Sequence, residues 1–174
     1  MKYVKTFKGF KTSAEFQYHM DNGLDITESV FRIGSDAYKK LFEETKQYWD
    51  EGNLILSNKA AWMTANLEVG TPAIYDGRKV ELDTPFRGGS KKFTVYHNSG
   101  KKDKDDNILA IKIEWGDTSG LSIKNDDPKA SASFWARHQC DLTKKMDPNK
   151  AGFWACYAPS LFGKQLGLSS TNPW

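Results

Sequence analysis

Long apolar runs are missing from this 174-residue sequence. None approaches the roughly 18 residues that a membrane span requires, so no membrane partner is expected. Cysteine is scarce too: Cys140 and Cys156 are the only two. That is too few for a disulfide-built fold, and in a chain of this length reduced thiols are the default expectation. The opening residues, Met1-Lys2-Tyr3-Val4-Lys5-Thr6-Phe7-Lys8-Gly9-Phe10, start basic but lack an apolar h-region and a small-residue cleavage site. The expected product therefore stays in the cytoplasm where it is made unless something packages it. A dominant charge is missing as well. Lys and Arg number 25 against 22 Asp and Glu, a formal net charge of +3. The signs are mixed, as in Lys101-Lys102-Asp103-Lys104-Asp105-Asp106, which reads first as a solvated loop and only second as part of a nucleic-acid groove. Internal repeats and low-complexity tracts are also absent.

Aromatic residues, by contrast, are plentiful: ten Phe, seven Tyr and six Trp. Each can remove roughly 150 to 250 Å² from water when buried, enough for a sizeable core. Length and even composition predict one domain, residues 1–174, with 1–11 as an N-terminal arm. Thr12 with Glu15 forms a capping-box pattern, and Gly23 supplies a stop, which predicts a helix from Ser13 to Asp21. Residues 28–34 look extended. Ser35 then caps the clearest helix, where Tyr38, Leu41, Phe42, Thr45, Tyr48 and Trp49 recur at three- and four-residue steps up to Gly52. Ser57 can cap a further short helix through Met63.

Ala73-Ile74-Tyr75 and Lys79-Val80-Glu81-Leu82 flank Asp76-Gly77 and predict a hairpin. Phe93, Val95 and His97 alternate with Lys92, Thr94 and Tyr96, while Leu109, Ile111, Ile113 and Trp115 mark one apolar face of a second strand. Which of Tyr96 and His97 faces inward is open at this point. Residues 99–107 join the two as a long charged tip. Asp127-Pro128 starts a helix that runs from Lys129 to Gln139. Residues 152–157 read as extended, and 161–166 as a last helical turn. The fold class expected is α+β, with antiparallel hairpins in the middle packed with amphipathic helices at both ends.

Soft ligands cluster once, at His138, Cys140 and Cys156. Structural zinc needs four ligands, usually as two close pairs. Here there is one pair and a lone cysteine, and His97, His19 or Asp141 would have to supply the fourth. Zinc is thus the one cofactor the pattern allows, and no cofactor is the simpler expectation. The plainer reading makes both cysteines small buried hydrophobes. A Cys140–Cys156 disulfide is a third option, expected in an oxidising compartment or an extracellular particle. Nucleophilic catalysis is disfavoured, because His138 and Cys140, two apart on a helix, point away from each other. Arg137, His138 and Asp141 could serve phosphodiester chemistry, although Arg137 pairing with a carboxylate near the helix end is the commoner arrangement. Gly88-Gly89-Ser90-Lys91 lacks the order of a phosphate loop. Trp135, Phe153 and Trp154 could stack on bases, but beside a helix end and a cysteine pair they read as core. Arg137, Trp135 and Trp154 are accordingly expected to form a structural cluster.

Lys91-Lys92-Phe93-Thr94-Val95-Tyr96, then Trp115-Gly116-Asp117, then Ala136-Arg137-His138-Gln139-Cys140 and Ala151-Gly152-Phe153-Trp154-Ala155-Cys156 together resemble a small module of tailed phages and large DNA viruses. The resemblance covers residues 91–174 and implies a viral origin; the module carries no activity to transfer. Lys5-Thr6-Phe7-Lys8-Gly9-Phe10 is similar to leaders that direct proteins into the heads of large contractile-tailed phages, although an ordinary first strand is the expected reading. From these features a phage virion-associated structural or accessory protein is expected, non-enzymatic and partnered by other virion proteins, located in the host cytoplasm and then the virion. The alternative is a phage nucleic-acid-binding or nuclease-like protein, zinc-stabilised, using Arg137, His138 and the thiols.

Overall fold

The computed structural model describes residues 2–3, 12–118, 127–140, 147–163 and 165–168. The chain divides into two compact units, 1–70 and 71–174. The fold class is α+β, as expected: helices together with a mixed five-stranded sheet.

The first unit is mainly helical. Three of its helices each begin on a serine whose hydroxyl accepts a backbone N–H left over in the first turn, the usual capping arrangement. Ser13 caps α1 (Ala14–Asp21), Ser35 caps α2 (Asp36–Asp50) and Ser57 caps α3 (Asn58–Asn66). The first cap is one residue later than the Thr12 pattern suggests. Ser13 wins because its hydroxyl also donates to Glu44 at 2.6 Å, and its backbone N–H reaches the same carboxylate at 3.0 Å, so one residue ties α1 to α2. The stripe expected on α2 is buried through Tyr38, Leu41, Phe42, Thr45 and Tyr48, and Phe16 of α1 meets Tyr48 with ring centroids 5.0 Å apart.

Residues 28–34 form no strand, contrary to expectation. Asp25 and Glu28 instead make a capping box around a 3-10 turn, Ile26–Glu28, and this local hydrogen bonding competes with extended pairing. The turn delivers Ser29 to His19. The His19 Nδ1–H donates to the Glu15 carbonyl at 2.9 Å, and Nε2 accepts from the Ser29 hydroxyl at 3.0 Å, which fixes a neutral tautomer. Burial pushes the His19 pKa down, against the raising effect of the Glu15 hydrogen bond. A two-residue pair, β1 (Lys2–Tyr3) with β2 (Leu54–Ile55), completes the described part of this unit.

In the second unit, β3 (Pro72–Tyr75) and β4 (Arg78–Glu81) form the expected hairpin. Asp76 and Gly77 both have positive φ, 48° and 70°, the geometry that a tight two-residue hairpin turn demands. Then come β5 (Phe86–Arg87), β6 (Phe93–Lys102) and β7 (Ile108–Trp115), in sheet order β4-β3-β7-β6-β5. β3 runs parallel to β7 and the other neighbours are antiparallel. The tip between β6 and β7 is shorter than expected. The strands continue past a register shift at Asn98/Lys101, and the Asp103 carboxylate gathers the Asp105 and Asn107 N–H groups to close the turn. The ambiguity on β6 is settled: Phe93, Val95 and His97 face the core with Ile113 and Trp115, and Tyr96 faces the other way.

The glycine stretch before β6 is a clamp. Glu114 accepts from Ser90 N at 2.7 Å, from the Ser90 hydroxyl at 2.8 Å and from Lys112 Nζ at 2.9 Å. A Cβ at Gly89 would lie 2.2 Å from a Glu114 oxygen and 2.4 Å from the Thr94 hydroxyl oxygen, so only glycine fits there. The Lys112 and Ser90 hydrogen bonds hold the Glu114 pKa down at about 2.

Two helices follow. α4 (Pro128–His138) starts on Asp127, whose carboxylate accepts from Lys129 N and Ala130 N, and ends on Gln139 with φ 52°. α5 (Ala151–Phe162) occupies the stretch expected to be extended. Gly152 and Pro159 lower its helix propensity, but Phe153, Trp154, Cys156, Ala158, Leu161 and Phe162 are all buried. Tertiary burial at helical spacing overrides that local preference.

Candidate functional site

Two of the candidate residues of the second unit, Trp154 and Cys156, lie on α5. Trp154 and Cys156 are two apart, so they leave the helix on nearly opposite sides. Trp154 turns to the sheet, fully buried. Its ring lies 5.8 Å from Trp115, 6.3 Å from His97 and 6.1 Å from Phe162, and its Nε1–H donates to the Pro148 carbonyl at 2.7 Å. Cys156 turns to α4 and is bonded to Cys140, with Cα atoms 5.6 Å apart. The next residue, Tyr157, donates its hydroxyl to the Cys140 carbonyl and meets Trp135 edge-on at 5.7 Å. α5 is thus held to the sheet by Trp154 and to α4 by a covalent bond, a hydrogen bond and an aromatic contact.

This arrangement corrects the default of reduced thiols: the third option, the disulfide, is the one formed. It also separates the three residues proposed as metal ligands. The sulfurs of Cys140 and Cys156 are joined and present no thiolate. His138 lies exposed on α4, its ring tilted against Phe134 with centroids 4.2 Å apart. Among the described residues no group of three or more His, Cys, Asp or Glu side chains is placed to hold a metal ion. Asp141 and the leader-like residues 5–10 lie outside the described residues. The expected structural cluster is divided: Trp154 is core, Trp135 is half-buried, and Arg137 is exposed with no carboxylate partner among the described residues. The buried Trp135 Nε1 likewise has no hydrogen-bond partner among them.

The residue that sequence reasoning missed is Asp83. It is fully buried, and its φ of 48° is tolerated more readily by Asp than by most residues. Its backbone N–H donates to the Tyr96 carbonyl at 2.8 Å, and its carboxylate receives the Nδ1–H of His97 at 2.6 Å. Asp83 follows directly on the buried strand-end residue Leu82 and precedes Thr84-Pro85, which in sequence reads as a turn. Nothing local predicts that a turn aspartate, 14 residues from its partner, is internal. A carboxylate that orients an imidazole is one part of a nucleophilic triad. Here the other ring nitrogen makes no hydrogen bond among the described residues, and the ring packs against Trp154. The pair therefore joins β6 to the segment that follows β4 through a buried hydrogen bond. Comparison with protein-family models, with curated proteins and with solved structures finds no match to this chain.

Proposed function

We propose that this chain is a phage virion-associated structural or accessory protein that acts by docking to other virion proteins, without catalysis. It is made in the host cytoplasm and then carried in the particle. The observation that carries this reading is the Cys140–Cys156 disulfide. Reducing cytoplasm keeps such thiols apart, whereas an extracellular particle lets the bond persist. The viral resemblance of residues 91–174 points the same way.

The covalent bond also bears on docking. It fastens the end of α4, where Arg137, His138 and Gln139 are exposed beside the half-buried Phe134 and Trp135. Arginine and tryptophan are favoured anchors at protein interfaces, and a surface fixed in advance loses less conformational freedom on binding.

The test is mass spectrometry of purified virions together with peptide mapping without reductant. The chain should be present in particles with residues 140 and 156 cross-linked, and should carry free thiols in freshly lysed host cells. Absence of the chain from particles would sink the reading.

A further inference from the structure

A second surface lies on the side of the sheet away from α5. Because side chains alternate along a strand, Tyr96 points opposite to the core-facing Val95 and His97. Register places Lys112 directly across from Tyr96, Phe86 across from Thr94, and Arg78 across from Tyr75. These residues share one face. On it, Tyr75 and Tyr96 approach to 5.1 Å between ring centroids and Phe86 and Tyr96 to 6.0 Å. The strand between the tyrosines, β7, carries Ala110 across from Asn98, and a residue this small lets the two rings meet over it. The result is a row of three aromatic rings that crosses the sheet from β3 to the edge strand β5.

The row is open to solvent at its end. Phe86 is 41% exposed, and Tyr75 and Tyr96 are only half-buried. Cations stand along it: Arg78 and Lys112 are exposed, and Lys102, on the same face beyond the register shift, is exposed too. Lys112 and Lys102 are ion-paired with Glu114 and Asp106 at 2.9 Å each, which leaves Arg78 as the cation of this face without a carboxylate partner among the described residues. Aromatic faces lined by Arg and Lys suit an unpaired nucleotide strand, since every base offers a π-face and every linkage an anion. A neutral polymer would gain nothing from the cations, and an apolar protein surface would have to desolvate them.

We infer that this face binds single-stranded nucleic acid, with bases stacked on Phe86, Tyr96 and Tyr75 and a phosphate at Arg78. The inference is independent of the particle reading, because particle mass spectrometry and a binding titration fail separately.

The experiment is fluorescence anisotropy of the full chain with a labelled oligothymidylate at two salt concentrations. Competitors are duplex DNA of the same length and a neutral oligosaccharide. The single strand should bind and be displaced poorly by either competitor. Phe86→Ala should weaken binding about fivefold or more, and Phe86→Trp should retain it. Arg78→Ala should weaken binding and lower the salt slope by about one. Both positions are exposed, and circular dichroism checks that the variants are folded. No binding at low salt, equal affinity for duplex, displacement by the neutral oligosaccharide, or unchanged binding by folded Phe86→Ala and Arg78→Ala would each overturn the inference.

Discussion

The described residues of the two units reach order by different routes. In the first unit, each helix is announced by a serine that caps it, and even the buried histidine is satisfied from close by, by Glu15 four residues away and Ser29 ten away. In the second unit, the decisive contacts are distant in sequence. Trp154 packs on Trp115, Asp83 holds His97, Cys156 joins Cys140, and Arg87 donates from Nε to the Leu166 carbonyl at 2.6 Å. In the first unit local hydrogen bonds set the helix starts, and Ser13–Glu44 and Phe16–Tyr48 supply its long-range ties; in the second, packing and a cross-link carry more of the specification.

The contrast can be broken most forcefully at Trp154. Trp154→Ala removes a fully buried indole between α5 and the sheet, and should cost about 3–5 kcal/mol in denaturant unfolding. A loss below about 1 kcal/mol would show that the second unit does not depend on it. Cys156→Ser, or reduction of the native chain, frees a loop of 16-residue separation and should cost about 3 kcal/mol. Asp83→Asn keeps the shape and the tolerance of positive φ but removes the charge that His97 faces, with an expected loss of about 2 kcal/mol. A neutral result would reduce the pair to a spectator. Ser35→Ala in the first unit should cost only about 1 kcal/mol, the usual value of one cap. A cost matching that of Trp154→Ala would erase the proposed difference.

Acid should affect the two units in different windows, and this is the smallest effect. The His19 pKa is lowered in the folded state, so the unfolded chain takes up the proton first. The stability this group contributes is present above its ordinary 6.5 and is lost as pH falls through and below that value. Glu114 is also depressed, from 4.5 to about 2. Its contribution is therefore kept down to about pH 4.5 and lost between there and pH 2. NMR titration of His19 reads the first window directly; a midpoint at or above 6.5 would contradict it.

The sequence was legible wherever a residue's role depends on near neighbours. The α2 stripe, the Ser35 and Ser57 caps, the Asp76-Gly77 hairpin, the Asp127 start of α4 and the α+β class all follow from spacing and turn chemistry. The Thr12 pattern points one residue early because spacing cannot reveal that Glu44, far along the chain, favours Ser13. α5 was missed because Gly152 and Pro159 speak against a helix locally, while its burial is visible only in three dimensions. Asp83 was hidden for the same reason. Spacing alone could not choose between thiol and disulfide for Cys140 and Cys156, because the choice depends on how α4 and α5 meet.

The bond between residues 140 and 156 also alters what damage means for this molecule. A protease that cuts once anywhere between them severs the backbone but releases nothing, because the two products stay linked through sulfur. Such a chain keeps its mass on a gel run without reductant and divides only when the bond is reduced. Over that stretch, continuity of the protein does not depend on continuity of the peptide.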